Sequence, residues 1–247
     1  MKKHYDPNLK NRLSSTNNSS DIVLNNAFRE WNDHISTNLD ERNSTGGNDY
    51  SSGEDKRLLA LCDDHRIEHQ REIGAENIIM LTHPFYLSLT HMDKIESEDI
   101  GREVDIYLDT LLGFLNSKPD RSNVGIVVLE TLHHYAALTS LLLEKSLIDR
   151  VIFTQYDNGY PLDIDESEEF RKNVIYFGGG YNGQCLGGSI HHMRRMMSPK
   201  NIWAISDLIL NSPQHYKSSL RTSKVEGVRF SRVISLKKAI KRLGLIQ

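Results

Sequence analysis

A chain of 247 residues with 38% hydrophobic content can bury a core the size of one large α/β domain or two small ones. Two cysteines, Cys62 and Cys185, are too few for a disulfide scaffold. No stretch approaches the roughly 18 apolar residues of a membrane span, and the first residues lack the apolar core of a secretory signal. We therefore expect a soluble cytoplasmic protein that does not bind a membrane. The formal net charge of -3 conceals a basic C-terminal end.

Residues 1–55 are rich in Asn, Ser, Asp and Gly, a composition that buries too little apolar surface to offset the entropy of an ordered chain. We predict a flexible arm. Within it, Leu24, Phe28, Trp31 and Ile35 recur at helical spacing, which predicts a short amphipathic helix near residues 21–36.

From residue 56 to residue 216, short apolar runs alternate with longer helical patterns, as in parallel βαβ units. The strands read as continuous apolar runs, which is typical of strands covered on both faces. This pattern predicts a three-layer α/β/α sandwich with a mostly parallel sheet of five to six strands. The candidate strands are Arg57–Cys62, Asn77–Leu81, Val124–Leu129, Arg150–Thr154, Val174–Phe177 and Asn201–Ser206.

Three helices are predicted within this domain. The pattern of Glu98–Ser117 places Val104, Leu108, Leu111 and Leu115 on one stripe. A second helix is predicted over Tyr135–Ser146, and a third from Cys185 to Met197, where Ser198-Pro199 ends it.

Ligands of open parallel sheets bind outside the carboxyl ends of the strands, so the residues just past each predicted strand are the candidate site. Five of the six strand ends carry Cys, His, Asp or Glu, although polar residues are common in any loop. The candidates for a base and for an acid that orients it are His83, His133, His134, Asp157 and Asp207.

The segment that follows the fifth candidate strand is rich in glycine, which lets a backbone approach a ligand closely. We predict a loop here that binds an anion such as a phosphate, a carboxylate or a nucleotide. It matches neither G-x-G-x-x-G nor a P-loop. The candidate ligand-binding residues are Gly178, Gly179, Gly180, Tyr181, Asn182, Gly183 and Gln184.

Cys185 falls at the first turn of the third predicted helix, where the dipole and unpaired amides favour a thiolate and supply donors for an oxyanion. This position suits a nucleophile, although a cysteine in an apolar helix start is more often a core residue. The leading hypothesis is a small-molecule or acyl-transfer hydrolase. The alternatives are a non-catalytic module that binds an anionic ligand and a metal-dependent hydrolase that uses the His and Asp residues of the same edge.

The segment Tyr176–Cys185, with Ser206-Asp207 one strand later, resembles the isochorismatase-like cysteine hydrolases, whose nucleophilic cysteine follows a glycine-containing strand end. The resemblance covers about forty residues and implies an α/β fold with Cys185 as nucleophile. That family also has an Asp after its first strand and a Lys before the cysteine strand, and we place neither in this sequence.

Two further patterns concern metals. Cys62-x-Asp64-x-Arg66 repeats the spacing around a zinc ligand in β-class carbonic anhydrases, but the later H-x-x-C that they require is absent. His65-x-x-Glu68-His69 matches the inverted zinc-peptidase motif, in a fold of the wrong class. We therefore assign no metal ligands, and the sequence identifies no cofactor.

Residues 217–247 form a basic tail, predicted to contain a short helix, with nine basic residues and Glu226 as the one acidic residue. In that helix Leu236, Ile240 and Leu243 would face inward, leaving Lys237, Lys238, Lys241 and Arg242 outside. Packing of this helix on the sheet is the simpler interpretation. Contact with nucleic acid through the tail is the alternative.

Overall fold

The computed structural model describes residues 71–85, 98–117, 123–131, 142–143, 146–154, 159–161, 169–211 and 224–245. The predicted N-terminal arm, its amphipathic helix and the predicted strand Arg57–Cys62 lie outside these residues. Most of the predicted helix Tyr135–Ser146 does so too.

The described residues contain a six-stranded sheet in which every pair of neighbouring strands is parallel. The strand order is β3-β2-β1-β4-β5-β6. The predicted α/β fold with a mostly parallel sheet is confirmed. The strands are β1 (Asn77–Thr82), β2 (Val124–Thr131), β3 (Arg150–Thr154), β4 (Val174–Asn182), β5 (Ile202–Asn211) and β6 (Val233–Ile234).

The sheet is covered on both faces, which explains why its central strands are continuously apolar. In β1, Ile79 and Leu81 belong to one hydrophobic core, whereas Ile78 and Met80 belong to a second core on the opposite face. Because successive side chains of a strand point to opposite faces, a strand between two cores needs an apolar residue at every position.

The described residues include three helices that cover the sheet. Helix α1 (Glu98–Asn116) ends within one residue of its prediction and packs Leu108, Leu111 and Leu115 into the first core. Helix α2 (Cys185–Met196) begins at the predicted residue and packs Leu186 and Ile190 into the second core. Helix α3 (Leu236–Leu243) lies on the same face as α1. No helix of the described segments is long and apolar enough to cross a membrane.

The basic tail contributes the last strand and the last helix of this fold. Strand β6 pairs with β5, and α3 buries Ala239 and Leu243. The four basic residues of α3 are exposed, as predicted. The guanidinium of Arg242 packs over the ring of Trp203, although the residue is exposed.

The strand order reverses direction at β1. From β1 the chain builds the sheet outward through β2 and β3, and it then returns to the other side of β1 to place β4, β5 and β6. At such a switch point the connections leave the sheet on opposite faces, and a crevice opens outside the carboxyl ends of the two central strands. The crevice of this sheet lies beyond Thr82 of β1 and the end of β4.

The predicted glycine loop is largely a strand, which corrects the prediction. Residues 178–182 continue β4, and only Gly183 and Gln184 form a turn before α2. Gly178 packs against Leu81 and Leu208, and a Cβ on Gly179 would overlap the carbonyl oxygen of Thr82. These glycines are therefore needed where neighbouring strands approach closely, a constraint that local composition does not reveal.

We expect Gly179→Ala to lower the free energy of unfolding by about 2 kcal/mol or more. Gly179 has a φ of 102°, which alanine adopts only under strain, and the added methyl group would push β1 away from β4. Urea unfolding followed by circular dichroism measures the change.

Gly113→Ala is the matched control, because a Cβ at that position in α1 meets no atom within 4 Å. This change should stabilise the protein by about 0.5–1 kcal/mol, the usual gain for alanine over glycine in a helix. Equal effects of the two changes would contradict the proposed role of Gly179.

Candidate functional site

The turn after β1 carries His83, which is buried and has a φ of 40°. Two contacts hold the turn in this uncommon conformation. The backbone amide of His83 donates to the carbonyl of Leu129 in β2 at 2.8 Å. The hydroxyl of Tyr107 in α1 donates to the carbonyl of Pro84 at 2.7 Å. Such backbone strain persists only where the surroundings enforce it, and it is most frequent at functional sites.

Tyr107 is a reliable donor for this contact. Burial raises the pKa of the Tyr107 phenol far above its usual value, and the nearby charge of Glu130 acts in the same direction. The phenol therefore keeps its proton well above neutral pH.

The imidazole of His83 extends toward β3. Its Nε2 lies 2.7 Å from Oγ1 of Thr154, the last residue of that strand. Since β2 separates β1 from β3 in the sheet, the ring spans the carboxyl end of β2. Whether Nε2 donates or accepts in this bond depends on the tautomer of the ring.

Cys185 is the first residue of α2, and its thiol is buried, with 6% of the residue's surface exposed. Gln184 precedes it as N-cap and makes no side-chain cap. The first amides of a helix have no acceptor within the helix, and they point toward the end at which Cys185 stands. Negative charge is favoured at this position.

One hydroxyl joins the end of β1 to the first turn of α2. The Ser189 hydroxyl donates to the carbonyl of Gly159 at 2.8 Å and lies 3.1 Å from the carbonyl oxygen of Cys185. It also accepts a bond from the hydroxyl of Thr82 at 3.1 Å. Thr82 directly precedes His83, so the structure brings the His83 turn and the Cys185 turn together through the Ser189 hydroxyl.

The segment 159–161 forms a wall along this part of α2. Gly159 has a φ of 68°, and a Cβ there would overlap the carbonyl oxygen of Cys185. Pro161 forms a β-bridge with Thr154, which ties the wall to the end of β3. The backbone of this segment therefore packs directly on the helix turn that carries the thiol.

His192 lies under the same wall, two turns along α2 from Cys185. It is buried, and its ring meets that of Tyr160 edge to face, with centroids 5.9 Å apart. The neighbouring basic residues of α2, which are His191, Arg194 and Arg195, are exposed.

Asp207 forms its hydrogen bonds away from the His83 and Cys185 turns. Between Ala204, which pairs with Phe177, and Ile209, which pairs with Gly179, the register of β5 shifts. Within this irregularity Asp207 turns toward α3, where its Oδ2 accepts a bond from the amide of Leu236 at 2.7 Å. A carboxylate at a helix start stabilises that helix, which gives Asp207 a structural role in place of the predicted catalytic one.

Most of the predicted ligand-binding residues belong to strand β4, where they make contacts within the fold. The side chain of Asn182 donates to Asn211 at 2.8 Å and to the carbonyl of Lys224 at 3.0 Å, and it accepts from the amide of Glu226 at 2.9 Å. Tyr181 is buried in the first core. Gly183 and Gln184, in the turn before α2, are the members of the set that remain outside the strand.

His133, His134 and Asp157 lie outside the described residues. Among the residues that are described, no group of three or more His, Cys, Asp or Glu side chains has an arrangement that could hold a metal ion. The residues that sequence reasoning missed are Thr82, Thr154, Gly159 and Ser189. Of these, Ser189 carried a visible signal, because it lies one helical turn after Cys185.

We expect Asp207→Ala to lower the free energy of unfolding by about 1 kcal/mol, because the Leu236 amide loses its acceptor and the start of α3 loses a favourable charge. Asp207→Asn keeps an acceptor oxygen and should cost less than half as much. Chemical denaturation of both variants provides the comparison. If Asp207→Asn lowered the free energy of unfolding as much as Asp207→Ala, the capping role would be contradicted.

His192 should make stability depend on pH. Burial lowers the pKa of His192 below its usual value, and the charges of Arg195 and His191 lower it further. The unfolded chain therefore binds this proton more readily than the folded chain. Stability is complete above the ordinary histidine pKa of about 6.5 and declines as the pH falls below it.

The variant His192→Gln removes this titration, so its free energy of unfolding should fall less between about pH 7 and pH 5 than that of the unaltered protein. Urea unfolding at a series of pH values measures the difference. Identical pH dependence of the two proteins would show that His192 is not the group responsible.

No family model and no curated protein matches the chain. The solved structures that resemble part of it include a nicotinamidase and a cysteine hydrolase. A nicotinamidase from Staphylococcus aureus is 16% identical, covers 59% of this chain and 97% of its own, and has a TM-score of 0.38. A cysteine hydrolase from Pseudomonas syringae pv. phaseolicola is 11% identical, covers 68% of this chain and 92% of its own, and also has a TM-score of 0.38. At these values neither resemblance carries an argument about what this chain does.

Proposed function

We propose that the protein is a hydrolase in which Cys185 attacks the acyl carbon of a small-molecule substrate, at the carboxyl edge of β1 and β4. One observation carries the proposal. Cys185 is the first residue of the helix that follows β4, beside the point at which the strand order reverses, and the Ser189 hydroxyl links its turn to the turn that bears His83. The parallel sheet and the helix start supply the geometry that nucleophilic catalysis by cysteine uses.

In the proposed reaction, the Cys185 thiolate adds to the carbonyl carbon, and the carbonyl oxygen takes up the negative charge. The first amides of α2 are the donors for that oxyanion. The bond to the leaving group then breaks, the leaving group takes a proton, and a thioester remains on Cys185. Water attacks the thioester, which releases a carboxylic acid and restores the thiol.

His83 is the proposed base. It would accept the thiol proton and return it to the leaving group, which is the role of histidine in Cys/His pairs. Because Nε2 is bonded to Thr154, this transfer would use Nδ1, and Thr154 would fix the orientation of the ring. The contacts that enforce the unusual His83 backbone support the assignment, since together with Thr154 they fix the ring before substrate binds.

Thr82, Gly159 and Ser189 are proposed as positioning residues. They contact the backbone of the Cys185 turn, or one another, through hydroxyl and carbonyl groups. The two alternatives from the sequence receive less support. The anion cradle depended on residues 178–182 forming a loop, and these residues belong to β4. The metal-dependent hydrolase lacks a ligand cluster among the described residues.

The test is hydrolysis of a panel of activated esters and primary amides by the full chain. Cys185→Ala should reduce kcat/KM to the background rate, because the covalent intermediate cannot form. His83→Gln should reduce it about 100-fold or more, the usual contribution of a general base. His191→Gln is the matched control, because it removes an exposed imidazole of the same helix, and it should retain full activity.

A second measurement does not depend on the choice of substrate. Iodoacetamide should alkylate Cys185 at pH 7 faster than Cys62, as mass spectrometry of the modified peptides would show, because a helix start favours the reactive thiolate. The rate at Cys185 should fall in His83→Gln. If Cys185 reacted no faster than Cys62 in the folded protein, and Cys185→Ala kept full hydrolytic activity, the proposal would be wrong.

A further inference from the structure

Two arginines share one tryptophan on the face of the sheet that α3 covers. The guanidinium carbon of Arg242 lies 4.1 Å from the ring centroid of Trp203, and that of Arg232 lies 4.7 Å from it. Cation–π attraction holds both groups at the ring. The two positive charges are therefore kept less than about 10 Å apart, which is close to the screening length of physiological salt.

Further contacts fix both guanidinium groups in position. Nε of Arg242 donates to the hydroxyl of Tyr176 at 2.9 Å, and the Tyr176 ring stacks on Trp203. Arg232 donates to the carbonyl of Lys200. Within the part of the chain that is described, no acidic side chain pairs with either arginine. Positive charges held side by side attract an anion, and a fixed planar guanidinium can donate two parallel hydrogen bonds to the oxygens of a phosphate.

The positive charge extends along α3. Lys237, Lys238 and Lys241 are exposed on its outer side. The acidic residue of the tail, Glu226, lies elsewhere, because its carboxylate is beside Gly183 and Gly187 at the start of α2. A strip of basic side chains without interspersed acids is the electrostatic footprint of a polyanion site.

An exposed aromatic residue adjoins this strip. Phe230 precedes Arg232 in the short helical turn before β6, and 74% of its surface is exposed. The other exposed large hydrophobic residue of the described chain, Ile106 of α1, reaches 39%. We call Phe230, Arg232, Lys237, Lys238, Lys241 and Arg242 the basic edge. An open aromatic ring beside positively charged side chains is the arrangement on which unpaired bases stack.

A membrane surface would attract the same charges, but it would also need an apolar face to insert. The apolar side of α3 is already packed on the sheet, where Ala239 and Leu243 are buried and Ile240 contacts the first core. One phenylalanine gives little insertion energy by itself. We propose that the basic edge binds single-stranded nucleic acid, with the arginines and lysines contacting the phosphates and Phe230 stacking on a base.

The proposal is tested with the full chain and fluorescent oligonucleotides of about 20 nucleotides, a length that exceeds a typical single-strand site. In anisotropy titrations at about 50 to 200 mM salt, the logarithm of the association constant should decline linearly with the logarithm of the salt concentration. Phe230→Ala should weaken binding about fivefold or more, and Phe230→Trp should restore it.

Lysine variants test the electrostatic part. Replacing Lys237 and Lys241 by Gln should weaken binding and make the salt slope shallower by about 0.7 for each phosphate that the variant no longer neutralises. Replacing Arg194 and Arg195 by Gln is the control, because these residues are exposed on α2, on the opposite face of the sheet, and the change in net charge is the same. The control variant should bind as the unaltered protein does.

Deletion of the tail is unsuitable as a test, because it would remove β6 and α3 from the fold. No binding at low salt would overturn the proposal. So would equal losses from the two double replacements, or equal affinity for a duplex, whose stacked bases cannot reach Phe230. Binding to vesicles that contain phosphatidylserine, without binding to oligonucleotides, would assign the basic edge to a membrane surface instead.

Discussion

The carbonyl group of Thr82 occupies the space that a side chain on Gly179 would need. Because Gly179 has no side chain, β4 can stay beside β1 as far as the last residue of β1, where Thr82 pairs with Gly179. The ends of these strands then lie close enough for the Thr82 hydroxyl to reach Ser189 of α2. The contact between the His83 turn and the Cys185 turn depends on that approach.

Within the described residues, the His83 turn and the Cys185 turn are joined by hydroxyl and carbonyl groups. A tight junction of strands leaves room for backbone carbonyls and small hydroxyls, and these groups satisfy one another by hydrogen bonding. Ser189 has one proton to donate and is near two carbonyls, so the bond to Gly159, at 2.8 Å, is the better formed of the two. The wall at 159–161 thereby fixes the orientation of a hydroxyl that also accepts from Thr82.

The parts of the fold that could be predicted from sequence are those in which local pattern and tertiary position agree. The boundaries of β3 match the prediction at both ends, and those of α1 match within one residue, because a buried strand and an amphipathic helix have distinct apolar periods. The sequence did not reveal β6, whose two residues are too short to show a period.

The candidate site could be predicted in location but only partly in residues. The rule for open sheets led to the carboxyl edge and to His83 and Cys185. It failed for Asp207, since no local pattern reveals the shift in the register of β5 that turns this residue toward α3. Glycines 178–180 were also predicted to form a loop. Glycine permits a turn and a close strand contact equally well, and only the neighbouring strand distinguishes the two.

The two sides of the candidate site differ in their response to acid. On the side of α1, the Tyr107 phenol that holds the His83 turn does not titrate in the folded protein, so this contact is the same in acidic and neutral solution. On the side of the wall, the ring that meets Tyr160 is a histidine whose neutral form the fold favours. Acidification therefore disfavours the packing of His192 against Tyr160, whereas the bond from Tyr107 to Pro84 is unaffected.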